Sequence, residues 1–277
     1  MMRDHLTAGL AWRERPGPGA PVVCLHGIGS DARSFDALAA RLPETVRPIA
    51  WWAPGYGDSA PIPADWPVAA DYAAALARLA DALGLGRFWL LGHSLGTLIG
   101  AAFAARHPDR VAGLILVSCA QGGGVAPGAP LPAAAAARLA DLGRLGPQGF
   151  ARARAPRLIH DPDANPALVA AVAEGMARVR QPGYGQAVRM LASGNLTAAA
   201  GRLALPVTIV VGEQDSITPP AQSQAVWAAL PAAARRRLVV LPDTGHALPQ
   251  QAPAALSAIV AGAMADSPAE TQQGVEP

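Results

Sequence analysis

The stretch Phe88-Trp89-Leu90-Leu91-Gly92-His93-Ser94-Leu95-Gly96-Thr97-Leu98-Ile99-Gly100 decides the reading of this chain. Its apolar opening, Phe88–Leu91, reads as a buried strand, and the residues from Leu95 to His107 read as a helix that stops before Pro108. Between the two sits Gly-x-Ser-x-Gly in a strand–turn–helix setting, the context in which that pattern presents a nucleophilic serine. A serine on so tight a turn takes a strained backbone conformation. A side chain two residues to either side would collide with the neighbouring strand or helix, hence Gly92 and Gly96. The N-terminus of the following helix favours negative charge developing at Ser94.

A serine hydroxyl is a poor nucleophile and needs a base oriented by an acid. Downstream, the apolar run Val207–Val211 ends in Gly212-Glu213-Gln214-Asp215, and the run Leu238–Leu241 leads into Pro242-Asp243-Thr244-Gly245-His246. The chain order Ser94, Asp215, His246 is the one this turn requires. His246 is the expected base and Asp215 its orienting acid. Glu213, on the same loop, is the alternative acid, and Asp243 reads as a turn former. His5, His107 and His160 read as structural, and His93 is too constrained within the turn to act as base. Stabilising an oxyanion needs N–H donors. Leu95 N–H follows the nucleophile, and the loop His26-Gly27-Ile28-Gly29-Ser30 offers Ile28 N–H, or failing that Gly29. His26 reads as a brace for this loop.

Working outward, likewise buried strands are expected around Leu6–Arg13, Val22–His26, Arg47–Trp52, Leu114–Ser118, Val207–Gly212 and Leu238–Leu241. Helices are expected at Ser34–Leu42, Ala69–Leu83, Gln222–Leu230 and Pro253–Ala265. Strand–helix alternation with continuous apolar strands implies an α/β fold with a doubly wound, parallel sheet. The stretch 121–191 breaks the alternation. It opens on Gly122–Gly124, shows no strand pattern, and contains helical pieces at Ala133–Leu145 and Leu168–Val179, so it reads as a helical cap. The core is then 1–120 and 192–265, and the polar tail 266–277 reads as disordered.

Composition narrows the chemistry. The chain of 277 residues is 51% apolar and 15% charged, which places it among globular proteins, and its net charge is +2. All 22 basic residues are arginine. With no lysine there is no Schiff-base amine, no Ser–Lys dyad and no phosphate-cradling lysine. No segment carries the dense basic stripe of a nucleic-acid binder. No apolar run suits a signal peptide or a membrane span, so a cytoplasmic protein without a membrane partner is expected. Cys24 and Cys119 lie in apolar runs and read as buried free thiols. The cap carries eight arginines against four acids, net +4, which leaves −2 for the rest of the chain.

Together the pieces HGIGS (26–30), PGYGDS (54–59), GHSLG (92–96), GEQD (212–215) and TGH (244–246) resemble the α/β-hydrolase superfamily from about Leu6 to Ala265. Within it the chain is most similar to small bacterial esterases and 3-oxoadipate enol-lactonases. The resemblance implies an eight-stranded sheet with the cap between strands six and seven. It also implies hydrolysis of a small carboxylic ester or lactone, with no cofactor and no metal. Enol-lactonases more often carry Met after the serine and a double glycine, where this chain has Leu95-Gly96-Thr97. Around the pocket, Gly27 and Gly29 shape the loop, Trp52 and Met190 are candidate walls, and Arg152, Arg154 and Arg189 are candidates to recognise an anionic substrate. Homodimerisation is left open. Two rivals share these motifs. One is the same site used for carbon–carbon hydrolysis, lyase or cofactor-free peroxidase or dioxygenase chemistry; the other is a non-catalytic ligand receptor.

Overall fold

Where the sequence is apolar without alternation, the strands are buried on both faces. Every residue of Phe88–His93 and of Val207–Gly212 is buried. The structure is a computed structural model describing residues 1–266; all but Asp266 of the tail read as disordered falls outside the described residues. Among these, eight strands form one sheet: β1 (Arg3–Thr7), β2 (Leu10–Glu14), β3 (Ala20–Leu25), β4 (Val46–Trp51), β5 (Phe88–His93), β6 (Val111–Val117), β7 (Val207–Gly212) and β8 (Arg235–Leu241). The order is β1-β2-β4-β3-β5-β6-β7-β8. Pairs β1–β2 and β2–β4 are antiparallel, and the rest are parallel.

The expected single strand Leu6–Arg13 is instead a hairpin, β1 and β2. Ala8 (φ 52) and Gly9 (φ 73) both take positive φ and turn the chain back within two residues, pairing Thr7 with Leu10. Such turns usually carry Asn-Gly or Asp-Gly, and the Ala at 8 hid this one. β8 begins at Arg235, earlier than the apolar run suggested. It is an edge strand, and its arginines 235–237 need no burial.

Order and direction together make β3 and β5 neighbours whose onward connections leave to opposite sides. That is the switch point at which open α/β sheets bind ligands. The loop after β3 and the turn after β5 therefore meet over one crevice. Among the described residues, the connection from β6 to β7 contains no strand. Its helices are Ala133–Arg154, Pro166–Met176, Gly183–Ser193 and Leu196–Ala200. The first is broken at Gly146 (φ 64, ψ 170), just before Pro147, so the expected stop at Leu145 marks a kink rather than an end. The third, Gly183–Ser193, was not expected. Gly183 lies so close to Gly55 that an added Cβ would sit 2.1 Å from the Gly55 oxygen. A glycine there allows two backbones to touch and does not end a helix. No helix among the described residues is long and apolar enough to cross a membrane.

Candidate active site

The turn after β5 has the expected strain. Ser94 takes φ 52, ψ −115, and its N–H is held by Val117 O at 2.9 Å. An added Cβ at Gly92 would lie 2.4 Å from Gly96 O, and one at Gly96 would lie 2.1 Å from Leu25 O. Both are backbone atoms that cannot step aside. Thr97 fastens the first helical turn by donating its hydroxyl to Ser94 O at 2.6 Å.

Three side chains expected from sequence meet at the carboxyl ends of β5, β7 and β8. His246 Nε2 lies 3.0 Å from Ser94 Oγ, and its Nδ1 lies 2.9 and 3.1 Å from the two oxygens of Asp215. Asp215 is fixed from behind. Oδ1 accepts the N–H groups of Ile217 and Thr218, both at 2.9 Å, and Oδ2 accepts the Thr218 hydroxyl at 2.9 Å. Burial pushes the Asp215 carboxyl up, but the hydrogen bond and charge of His246, with the Thr218 N–H, outweigh it and hold the pKa down at about 2. Asp215 is therefore a carboxylate at neutral pH. Glu213, the alternative, is exposed. The His246 loop is anchored by Gln251, which accepts from Gly245 N at 2.9 Å and His160 N at 3.1 Å, and by Ala247 N donating to Leu158 O at 2.8 Å.

His93 does not point at the nucleophile. Its Nε2 donates to His246 O at 2.8 Å, so it supports the loop of the neighbouring histidine. Burial, together with the nearby His246, lowers its pKa to about 3 and keeps it neutral. His26 braces its loop. Its Nε2 accepts from Ala53 N at 3.0 Å, which puts the proton on Nδ1, donated to Gly27 O at 2.9 Å. His5 stacks on Trp12, and His107 lies over Phe103.

Among the described residues the N–H groups of Ile28 and Leu95 have no hydrogen-bond partner. The Gly29 N–H faces the Tyr56 hydroxyl at 3.4 Å, whereas the Ile28 N–H is free. Gly27 sits against Ser94 and His93, where an added Cβ would lie 3.0 Å from Ser94 Cβ. Gly29 takes φ +72 beneath Met176 and Tyr184. Neither glycine lines the cavity beside Ser94; both line a smaller neighbouring one.

That cavity measures about 310 Å³ and opens on both Ser94 and His246. Its walls are largely apolar, with Ile28, Met176, Val188, Leu191 and Ile217 among them, and Arg138, Arg154 and Arg157 reach it from the helical segment. Of the pocket residues expected from sequence, Arg154 lines it. Trp52 does not: it lies over another depression, its ring 5.6 Å from the Arg33 guanidinium carbon. Met190 is fully buried behind the wall and leaves Leu191 to face the cavity. Arg152 is exposed on the outer helix face. Arg189 folds back along its own helix toward Gly185. Sequence reasoning missed Arg138, Met176 and Thr218 as site residues. Arg138 follows the lining residues Ala134 and Ala135 by four and three positions, a shared helix face. Only the packed helix shows which face looks inward. Arg138 Nη1 reaches Tyr184 Oη at 3.5 Å, and Arg154 lies over the Phe150 ring at 5.0 Å. Burial, then the charge of Arg138, lowers the Arg154 pKa.

Serine, histidine and carboxylate at the ends of parallel strands, beneath a helical insertion, define a class, and the comparisons agree. Residues 22–259 match the model of the alpha/beta hydrolase family, and the chain belongs to that family. It is 32% identical over 239 residues to a pimeloyl-[acyl-carrier protein] methyl ester esterase of Neisseria meningitidis, covering 82% of this chain and 86% of that one. Its fold superposes on a thermophilic esterase from Thermogutta terrifontis with a TM-score of 0.81 at 26% identity, covering 96% and 98% of the two chains. It also superposes on the enol-lactonase from Burkholderia xenovorans with a TM-score of 0.82 at 22% identity, covering 95% and 100%. The protein is thus a hydrolase of this family that resembles bacterial esterases.

Proposed function

We propose that the protein is a serine hydrolase that cleaves a small carboxylic ester or lactone through an acyl-enzyme on Ser94. The observation that carries this reading is the unbroken relay from Ser94 Oγ through His246 to Asp215, at 3.0 and 2.9 Å, on the floor of the cavity. Ser94 Oγ attacks the carbonyl carbon as its proton passes to His246 Nε2, and Asp215 stabilises the imidazolium. The oxygen that gains charge is received by the N–H groups of Ile28 and Leu95. Collapse expels the alcohol, which takes the proton from His246. A water then enters, gives its proton to the same nitrogen and releases the acid. No step calls on a metal or cofactor. The helical segment from about 121 to 191 acts as the cap that shapes substrate access.

The same reading extends to charge. Arg138 faces no carboxylate within 4 Å among the described residues, and Arg154 has only Asp141 at 3.9 Å, which also pairs with Arg144. Guanidinium groups beside an apolar cavity favour a substrate with a carboxylate of its own, joined by an apolar spacer to the scissile bond. The test is labelling with a fluorophosphonate, together with turnover of p-nitrophenyl acetate. Both vanish in Ser94→Ala if the reading holds, and labelling that persists overturns it. Arg138→Ala then raises KM for the hemiester of a dicarboxylic acid about tenfold and leaves the neutral ester unchanged; equal effects on both would remove the anionic preference.

A further inference from the structure

The loop that carries Ile28 is tied to the helical segment above it by an ion pair whose carboxylate is buried and whose guanidinium reaches solvent. Asp31 closes the loop, and its side chain is 6% exposed. Oδ1 accepts from Arg33 N at 2.8 Å and caps the turn Ala32–Phe35, and Oδ2 accepts from Arg178 Nη1 at 2.9 Å. Arg178 follows the helix Pro166–Met176, whose Glu174 holds its other terminal nitrogen. That helix also packs onto the loop. An added Cβ at Gly175 would lie 3.8 Å from the Asp31 carboxyl, and one at Gly29 would lie 3.6 Å from Met176, itself a wall of the Ser94 cavity. The other end of the loop is pinned through His26, whose Nε2 accepts from Ala53 N just past β4 and whose Nδ1 donates to Gly27 O. Ile28 therefore lies between two fixed points, one belonging to the sheet and one to the helical segment.

We propose that Asp31 and Arg178 are positioning residues whose ion pair couples the seating of the cap to the aim of the Ile28 N–H. The catalytic part of this role rests on the oxyanion reading above; the coupling itself does not. Among the described residues no other cation lies within 4 Å of the Asp31 carboxylate. A buried charge stripped of its partner is strongly unfavourable. The cap cannot lift at Met176 without either rehydrating Asp31 or dragging the loop with it. An oxyanion donor works only when it is held in place before the charge develops, so a loop released at Asp31 loses catalysis without losing substrate affinity.

The experiment compares Arg178→Gln, Asp31→Asn, their double variant and Arg178→Lys. Asp31→Asn keeps an oxygen for Arg33 N and removes the charge. It carries the same readouts if Arg178→Gln does not fold. The first readout is amide hydrogen exchange in peptides spanning 26–35 and 170–180, with the central strands as internal reference. The second is the rate of Ser94 phosphonylation by a fluorophosphonate. Each single variant speeds exchange in both peptides about tenfold and leaves the strands unchanged, the double matches either single, and lysine restores most of the protection. Phosphonylation slows in parallel, with kcat for ester turnover falling and KM constant. Unchanged exchange over 26–35 in the folded single variants, or additive effects in the double, overturns the coupling. Exchange decides this even if the wild-type protein is never phosphonylated, a result that would instead refute the proposed function.

Discussion

Replacing Asp215 with asparagine removes one charge and no volume, yet the surrounding loop dictates how the amide must lie. The Oδ1 position receives two backbone N–H groups, from Ile217 and Thr218, both at 2.9 Å. Only an acceptor can occupy it, so the asparagine oxygen is held there and the NH2 group takes the place of Oδ2. That place faces His246 Nδ1 at 2.9 Å. Two donors cannot share this contact, and the imidazole escapes by moving its proton to Nε2. The nitrogen 3.0 Å from Ser94 Oγ then carries a hydrogen where catalysis needs a lone pair. A tautomer reversed in this way lowers kcat by roughly 10⁴-fold, about 5.4 kcal/mol at ~1.36 kcal/mol per decade. The assay is kcat/KM for a p-nitrophenyl ester beside the phosphonylation rate, with thermal melting to confirm the fold. Both rates fall together in Asp215→Asn, and Glu213→Gln keeps wild-type values because Glu213 is exposed. An asparagine variant that melts normally and retains a tenth of wild-type activity would refute the assignment of Asp215 as the orienting acid.

Gly96→Ala places a Cβ 2.1 Å from Leu25 O and abolishes soluble folded protein, whereas Gly86→Ala meets nothing within 4 Å and leaves the melting temperature within a few degrees of wild type. Acid sensitivity is set first by histidine. His93 has its pKa lowered from 6.5 to about 3, so its contribution to stability is complete above pH 6.5 and is lost as pH falls toward 3, at ~1.36 kcal/mol per pH unit. Buried His26 shifts in the same direction. Asp215 follows: its folded pKa of about 2 lies below the ordinary value of 3.8, so its contribution is complete above about pH 4 and lost as pH falls to 2. Urea titrations from pH 7 to 3 measure the slope, and His93→Phe flattens it; an unchanged slope in that variant would show that His93 is not the titrating group.

The parts of this molecule legible in the sequence are those whose causes are local. Gly92 and Gly96 are required by contacts within the turn and with the adjacent strand, and the central strands declare themselves because both of their faces are buried. Asp215 and His246 were legible because each follows an apolar strand within a few residues. Features set by a distant partner were not. The helix Gly183–Ser193 was not expected, and the closeness of Gly183 to Gly55 shows only in three dimensions. Ala8 reads as mid-strand because nothing local announces its positive φ. Of the arginines expected at the pocket, Arg154 lines it and Arg152 and Arg189 do not, for a related reason. A helix periodicity tells which residues share a face but not which face looks down, so Arg152 and Arg189 were favoured over Arg138.

On the proposed function, chemistry and selectivity rest on differently built parts of the chain. Ser94, Asp215 and His246 sit at the carboxyl ends of parallel strands, each held by backbone contacts that tolerate almost no displacement. The guanidinium groups over the cavity hang from long side chains on the helices between β6 and β7, where, among the described residues, Arg138 has a neutral phenol as its only hydrogen-bond partner. Because the chain has no lysine, any carboxylate recognised there meets a planar fork that binds two oxygens at once. Such a fork constrains the direction of the bound carboxylate as well as its charge. On that proposal, the distance from these forks to Ser94 acts as a ruler for the spacer between a substrate's carboxylate and its scissile bond. Changes at the arginines can reset that ruler without disturbing the relay beneath, and the ion pair of Asp31 with Arg178 is one of the points at which the two parts touch.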